Sequence, residues 1–353
     1  MYAEREPSTF FDLESPVDAR RLSAPLSVLE RLTGLVILDE IQRRPEMFEV
    51  LRVLADRPRQ PARFLLLGSA SPQLVKGVSE SLAGRIGFVD LGGFELAEVE
   101  VEQRDRLWLR GGFPRSFLAP DETSSRLWRD DFIRTFLERD IPQLGISVPA
   151  ETLRRFWTMV AHLHGQVWNA AQISRSLGVS ETTARRYLDI LSGAFMVRVL
   201  PPWFENLGKR QVKAPKVYLR DSGILHALLQ MTTLSDLQGH PKLGASWEGF
   251  AVEQLLGALQ TRDAYFWATH GGAELDLLVH AQGKRYGFEL KYGDAPGTSR
   301  AMHVALADLS LDHLWVVYPG RQDYPLTEKI SVVSIDSVTK LAAGLRAAGR
   351  SPR

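Results

Sequence analysis

Residues 35–38 (LVIL) form an uninterrupted apolar run closed by Asp39 and Glu40, and residues 64–67 (FLLL) form a second one closed by Gly68 and Ser69. Runs of this kind predict strands buried on both faces, as in a parallel sheet. Residues 45–55 predict a helix between them, which completes a strand–helix–strand unit. Ahead of it, residues 9–14 predict a short strand stopped by Pro16, followed by a helical stretch. Residues 73–83 predict a further helix ended by Gly84 and Arg85. Glycine pairs at 92–93 and 111–112 mark a linker-like stretch, and residues 124–164 read as helical. Two short helices, 170–177 and 181–191, meet at Gly178, with Ser180 placed to cap the second. Ile173, Leu177, Val179, Ala184, Leu188 and Leu191 supply their packing stripe. An amphipathic helix over 246–260 precedes predicted strands at 264–269, 275–280, 285–291 and 314–318, and the last ten residues read as a frayed basic tail. No internal repeat or low-complexity tract is present.

Composition narrows this picture without naming a partner. The chain has 353 residues, 44% hydrophobic and 24% charged, with a formal net charge of +1. That length suits two to three domains. No cysteine is present, which excludes disulfides, thiolate zinc sites and cysteine nucleophiles. The first residues lack the apolar core of a signal peptide, and no stretch approaches the roughly 18 uncharged apolar residues of a membrane span. A soluble cytoplasmic protein with no membrane partner is the expectation. Charge becomes informative only locally: residues 151–220 hold eleven Lys/Arg against four Asp/Glu, a net of +7.

Three constellations carry chemistry. LVILDE at 35–40 has the form of a Walker B motif, in which Asp39 would hold Mg²⁺ through its shell and Glu40 would orient an attacking water. A buried strand followed by an acidic helix start is the plainer alternative. The 170–191 pair reads as a helix-turn-helix, and the following residues, to about 220, read as two strands joined by a basic wing. Arg185, Arg186, Lys209, Arg210 and Lys213 are then the expected DNA phosphate contacts; a winged helix used only for packing is the alternative. Finally, Glu289 and Lys291 alternate onto one face of a strand, a hairpin at 281–283 brings Asp276 beside them, and Glu248 lies on the preceding helix. An acidic residue followed by E-x-K resembles the PD-(D/E)xK nuclease pattern, in which Glu248, Asp276 and Glu289 would hold Mg²⁺ and Lys291 would activate water. A solvated strand face laced with salt bridges is the alternative there. His270 reads as a turn residue, and Trp168, Trp203 and Trp247 as core.

FDLESP, LVILDEIQRRPE, RFLLLGSASP, SESLAGRI, LRGGFPRSF, FLERDIPQLGI, GASWEGF and GAELDLLV…FELK together resemble one family across essentially the entire chain. It comprises AAA-type ATP-binding proteins whose C-terminal half is the domain of unknown function 4143. The resemblance implies that Asp39 and Glu40 are the Walker B pair, that Ser69 is a sensor position, and that Arg85 is a phosphate-sensing or finger-type arginine. The family also carries a phosphate loop, G-x-x-x-x-G-K-[ST], ahead of the FDLE strand, and these 353 residues contain none. Without the loop's backbone N–H groups and lysine a Walker B pair has little to act on. The chain as written is therefore expected to bind ATP poorly, even though the family implies ATP as cofactor. A start placed too far downstream is the favoured explanation, ahead of a fragment or a degenerate ATPase half. The absent strand would sit in the middle of the sheet and leave an unpaired slot.

The expected α/β architecture is therefore a partial P-loop/AAA-type core over 1–100, lacking its first strand and P-loop, and a helical lid or linker over 101–150. A winged helix-turn-helix (151–220), a restriction-endonuclease-like α/β domain (221–340) and a flexible tail (341–353) follow. The expected function is an AAA-family ATPase with a DNA-binding, nuclease-like C-terminal half, using Mg²⁺ and acting on DNA, with a homo-oligomer as a candidate assembly. The competing expectations are a non-enzymatic DNA-binding or regulatory module with relic sites, and a signalling ATPase that recognises another protein.

Overall fold

The LVIL run becomes the middle strand of a parallel sheet. In the computed structural model, which describes residues 7–59, 61–68, 81–206 and 208–347, strands β1 (Ser8–Asp12), β2 (Gly34–Asp39) and β3 (Ala62–Leu66) pair in that order, all parallel. Val36 and Leu38 are fully buried because both faces of β2 are covered. The helix Met47–Ala55 buries Met47, Phe48, Leu51 and Leu54, a helical repeat that lays one stripe on the core. A short 3₁₀ turn, Ile41–Arg43, separates this helix from β2. Among the described residues the three strands pair contiguously, so the unpaired slot expected inside this sheet is not there, and β1 and β3 are its edges. Leu65 and Leu67 are 40% and 38% exposed, and the extended residues Phe88, Val89 and Leu91 are exposed as well. Ser69 and most of the predicted 73–83 helix lie outside the described residues.

Residues 1–91 make one compact unit and residues 92–353 a second. The second unit is centred on a six-stranded mixed sheet, ordered β11-β12-β10-β9-β8-β7. Its strands are β7 (Ala264–Ala268), β8 (Glu274–Ala281), β9 (Lys284–Leu290), β10 (His313–Tyr318), β11 (Tyr324–Pro325) and β12 (Ile330–Ser334). β7, β8 and β9 form an antiparallel meander, while β10 runs parallel to both β9 and β12. The β8–β9 turn places Gln282 and Gly283 at φ 57° and 74°, the paired positive dihedrals that a tight two-residue hairpin demands. The helix Leu243–Leu259 packs across one face, with Trp247, Ala251, Val252 and Leu255 almost wholly buried. A smaller antiparallel sheet, β4 (Gln166–Val167), β6 (Lys216–Leu219) and β5 (Val197–Leu200), lies in the same unit and takes the order β4-β6-β5.

Four sequence expectations need correction. The stretch read as a linker around the two glycine pairs is packed. The helix Arg104–Arg110 buries Leu107, Trp108 and Leu109, and Phe94 N donates to Gly112 O at 2.7 Å. A Cβ on Gly93 would stand 2.5 Å from the Gly112 carbonyl carbon, so Gly93 and Gly112 serve close backbone approach and not flexibility. Second, the helical stretch 124–164 is divided into Glu122–Thr135, a π turn at Phe136–Asp140, Ile141–Gln143 and Ala150–His162. Gly145 at φ 73° and Pro149 before the last helix account for the break.

Third, the tail expected from 341 is helical to Ala347, because Ala342 is buried and Leu341 and Leu345 pack against the main core. Fourth, the basic connection read as a wing is packed against the large sheet. It lies along the free edge of β7: Trp203 N donates to Phe266 O at 2.7 Å, Phe266 N to Pro201 O at 3.0 Å, and Val212 N to Ala268 O at 3.0 Å. An edge strand exposes a row of unpaired backbone groups, and this segment covers them.

Candidate functional site

The first unit ends two of its three strands, β1 and β2, in carboxylates. The β1–β2 register sets Asp12 beside Asp39, and Glu40 follows in the left-handed conformation at φ 54°. A non-glycine residue there is strained, a condition often stored at functional sites. Asp39 Oδ1 accepts from Glu40 N at 2.9 Å, and the Gln42 side chain donates to Glu40 Oε2. Arg85 is held in two parallel hydrogen bonds by Asp56, at 2.6 and 2.9 Å, which raises the arginine further and lowers the aspartate. To meet a phosphate it would first have to release Asp56.

The second unit brings Glu248, Asp276, Glu289 and Lys291 together, and adds three residues that sequence reasoning missed. The pairing of Leu277 with Phe288 puts Asp276 opposite Glu289 on one sheet face. Beyond that pair the Asp276 carboxylate replaces the ladder, Oδ2 accepting from Leu290 N at 2.9 Å. Lys291 Nζ contacts Glu289 Oε1 at 2.8 Å, and Glu289 Oε2 is buried with no partner among the described residues. At the centre stands Lys216, from β6, only 4% exposed at its side chain. Its ammonium lies 2.9 Å from Glu248 Oε1, 2.5 Å from Glu274 Oε1 and 3.5 Å from Asp276 Oδ1. Tyr218, two residues on, donates its hydroxyl to Glu248 Oε1 at 2.6 Å.

The electrostatics follow from burial. Desolvation, helped by the Asp276 charge, pushes Glu248 up to about 7 and Glu289 up to about 7. Burial alone would lower Lys216, but the surrounding Tyr218, Glu248, Asp276 and Glu274 outweigh it, and its pKa rises well above the ordinary lysine value. Near neutral pH the lysine is therefore charged, and the unpartnered Glu289 oxygen is where a proton would rest. Among the described residues no group of three or more His, Asp or Glu side chains is arranged to hold a metal. The Mg²⁺ expected at Glu248, Asp276 and Glu289 does not fit this donor set. Two of those carboxylates already bind one ammonium, and the third is tied to Lys291. The only sequence signal for Lys216 was a lysine inside the otherwise apolar strand KVYL, all four residues of which are buried.

The basic residues divide into two groups. Ser180 caps the helix Glu181–Gly193 as expected, its Oγ accepting from Thr183 N at 3.1 Å. Arg185 and Arg186 are exposed on that helix and form no ion pair with any described residue, while Ala184, Tyr187, Leu188 and Leu191 are buried behind them. Lys209, Arg210 and Lys213 line one open groove of about 620 Å³ with His270 and the half-exposed Phe204. Lys209 is bonded there to Asp308, at 2.6 and 2.8 Å. His270 sits in the expected turn, Trp168 and Trp247 are buried, and Trp203 is half-buried over His280.

A parallel sheet with carboxylates ending its middle strand, joined to a second unit with a mixed sheet, defines an α/β protein of several parts. A profile of the AAA domain matches residues 1–100, a domain of unknown function (DUF8612) matches 101–235, and a domain of unknown function (DUF4143) matches 243–338. The chain belongs to the family of AAA-domain proteins that carry DUF4143 in their C-terminal part. It is 53% identical over 332 residues to the uncharacterized protein Rv2008c of Mycobacterium tuberculosis and, at the same identity, to Mb2031c of Mycobacterium bovis. The match covers 94% of this chain and 75% of each relative. The crystal structure of protein VC1899 from Vibrio cholerae aligns over 98% of this chain and 99% of its own, at 13% identity and a TM-score of 0.21, a level at which no shared fold is read. Among the described residues no helix is long and apolar enough to cross a membrane.

Proposed function

We propose that this chain is the DNA-docking part of an AAA-type ATP-binding protein. In this reading residues 151–220 form a helix-turn-helix part, its basic connection laid along β7, that meets the duplex through its Ser180-capped helix. Residues 221–340 form a restriction-endonuclease-like domain whose cleavage centre is closed. One observation carries the docking reading: Arg185 and Arg186 stand exposed, without described ion-pair partners, on a helix whose opposite face is buried. Cations so placed suit a phosphate backbone. The groove lined by Arg210, Lys213 and Phe204 adds charge and an aromatic face. ATP binding by the first unit rests on the family alone.

Fluorescence anisotropy of a labelled duplex, measured across a salt series, tests the proposal. The Arg185→Ala/Arg186→Ala double variant should bind more weakly, and its log–log salt slope should be shallower by about 2. An unchanged affinity and slope would make the helix a packing element. The convergence of Asp276, Glu289 and Lys291 favours a second reading, phosphodiester cleavage. Nicking of supercoiled, branched or single-stranded DNA with Mg²⁺ or Mn²⁺, lost in Asp276→Ala, would establish it. The expected outcome is no nicking.

A further inference from the structure

We propose that Lys216 is the built-in cation of the Glu248–Asp276 cluster. Its ammonium fills the position at which a cleavage site of this pattern would hold a divalent ion, so the cluster is closed to Mg²⁺ and Mn²⁺ until that charge is removed. An ammonium has three N–H donors and no acceptor. Here it faces three carboxylates, Glu248 at 2.9 Å, Glu274 at 2.5 Å and Asp276 at 3.5 Å. Tyr218 donates to the same Glu248 oxygen, and the Leu290 amide to the other oxygen of Asp276.

Mg²⁺ demands near-octahedral oxygen ligands at about 2.0–2.1 Å and keeps several waters. It cannot share these oxygens with an ammonium already set among them. The backbone that carries the lysine is fixed in place, and its side chain is only 4% exposed. β6 is the central strand of the small sheet, paired on both edges, and Val217, Tyr218 and Leu219 are all buried. Lys216 therefore pins the β4-β6-β5 sheet to β8 and to the helix Leu243–Leu259 through charge, in the role a structural metal would take. The inference stands whether or not the helix Glu181–Gly193 meets DNA.

Electron spin resonance of free Mn²⁺, titrated with the full 353-residue chain, tests it, together with thermal melting in the presence and absence of Mn²⁺. Wild type should bind no more Mn²⁺ than Asp276→Asn does, and its melting temperature should not respond to the ion. Lys216→Met should melt lower without metal, because buried carboxylates lose their counter-ion. It should bind one Mn²⁺ at least about tenfold more tightly than wild type, with a rise in melting temperature on binding. Adding Asp276→Asn to that variant should abolish both effects. Wild-type Mn²⁺ binding that disappears in Asp276→Asn would overturn the proposal, as would a folded Lys216→Met that gains no Mn²⁺. Should Lys216→Met fail to fold, the comparison of wild type with Asp276→Asn decides alone.

Discussion

Gly249 shows how little room single residues have near the cluster. It lies in the helix Leu243–Leu259, one residue after Glu248, and a Cβ there would fall 2.1 Å from His164 Nε2 and 3.3 Å from the Tyr218 ring. Replacing a helix-interior glycine by alanine ordinarily gains about 1 kcal/mol in propensity. Here the imidazole is wholly buried and its Nδ1 accepts from Leu219 N at 2.9 Å, so it has nowhere to move. Overpacking of this kind costs about 1–3 kcal/mol and wins. Gly249→Ala should lower the urea midpoint, and a midpoint raised above wild type would show that the ring gives way.

His164 and His226 make the same neighbourhood sensitive to acid. Burial pushes each imidazole down to about 3, below the ordinary 6.5. His226 is held neutral between Leu109 O and Ser246 Oγ, at 2.9 and 2.7 Å. The unfolded chain therefore binds more protons than the folded one between the two values. The stability these residues contribute is complete above about pH 6.5 and is lost as the pH falls towards 3, at up to about 1.4 kcal/mol per pH unit for each histidine. Glu248 and Glu289, raised to about 7, bind protons in the folded state over much of the same window and offset the two histidines in the whole profile. The histidine share is therefore read as a difference: wild type should lose stability relative to His226→Gln with a slope near one proton as the pH falls from about 6.5 to about 4.5. A difference that does not change with pH would mean that the ring is already charged in the folded protein.

At the scale of elements, the segment laid along β7 is the least expected feature. Its anchor is Gln211, whose Oε1 accepts from Trp267 Nε1 at 3.0 Å and from Glu205 N at 3.1 Å, while Nε2 donates to Glu205 O at 2.6 Å. Gln211→Leu keeps the bulk but leaves a buried indole N–H unmatched, at a cost of about 1–3 kcal/mol. Amide hydrogen exchange at Trp203 and Val212 should then quicken, since both amides bond to the β7 edge. Unchanged protection would show that the backbone pairing holds without the side chain.

For the whole molecule, the distribution of charge is decided by folding. The net +7 of residues 151–220 reads as a surface for polyanions, yet four of its eleven cations are committed inside the second unit. Lys216 serves the carboxylate cluster, Arg198 and Arg220 share Glu253, and Lys209 pairs with Asp308. Exposed basic character is left to Arg154, Arg155 and Arg175, to the helix carrying Arg185 and Arg186, and to the groove beside Phe204. The docking proposal therefore rests on position and not on a charge sum.

Local rules acting over a few residues were readable without coordinates. Apolar runs marked β2 and β3, the positive-φ turn at Gln282 and Gly283 set the β8–β9 hairpin, and the Ser180 cap set the start of its helix. Strand alternation also placed Asp276, Glu289 and Lys291 on one face, because side chains on neighbouring strands follow from register. What lay beyond reach were contacts between segments far apart in the chain. Lys216 is 32 residues from Glu248 and 60 from Asp276, and nothing in its own strand says which carboxylates it will meet. The glycines near 93 and 112 read as linker because close backbone packing leaves no trace in composition. Tertiary structure alone decided that a lysine, carried in on another sheet, would stand among the acids, since only folding brings a buried charge to its counter-charges.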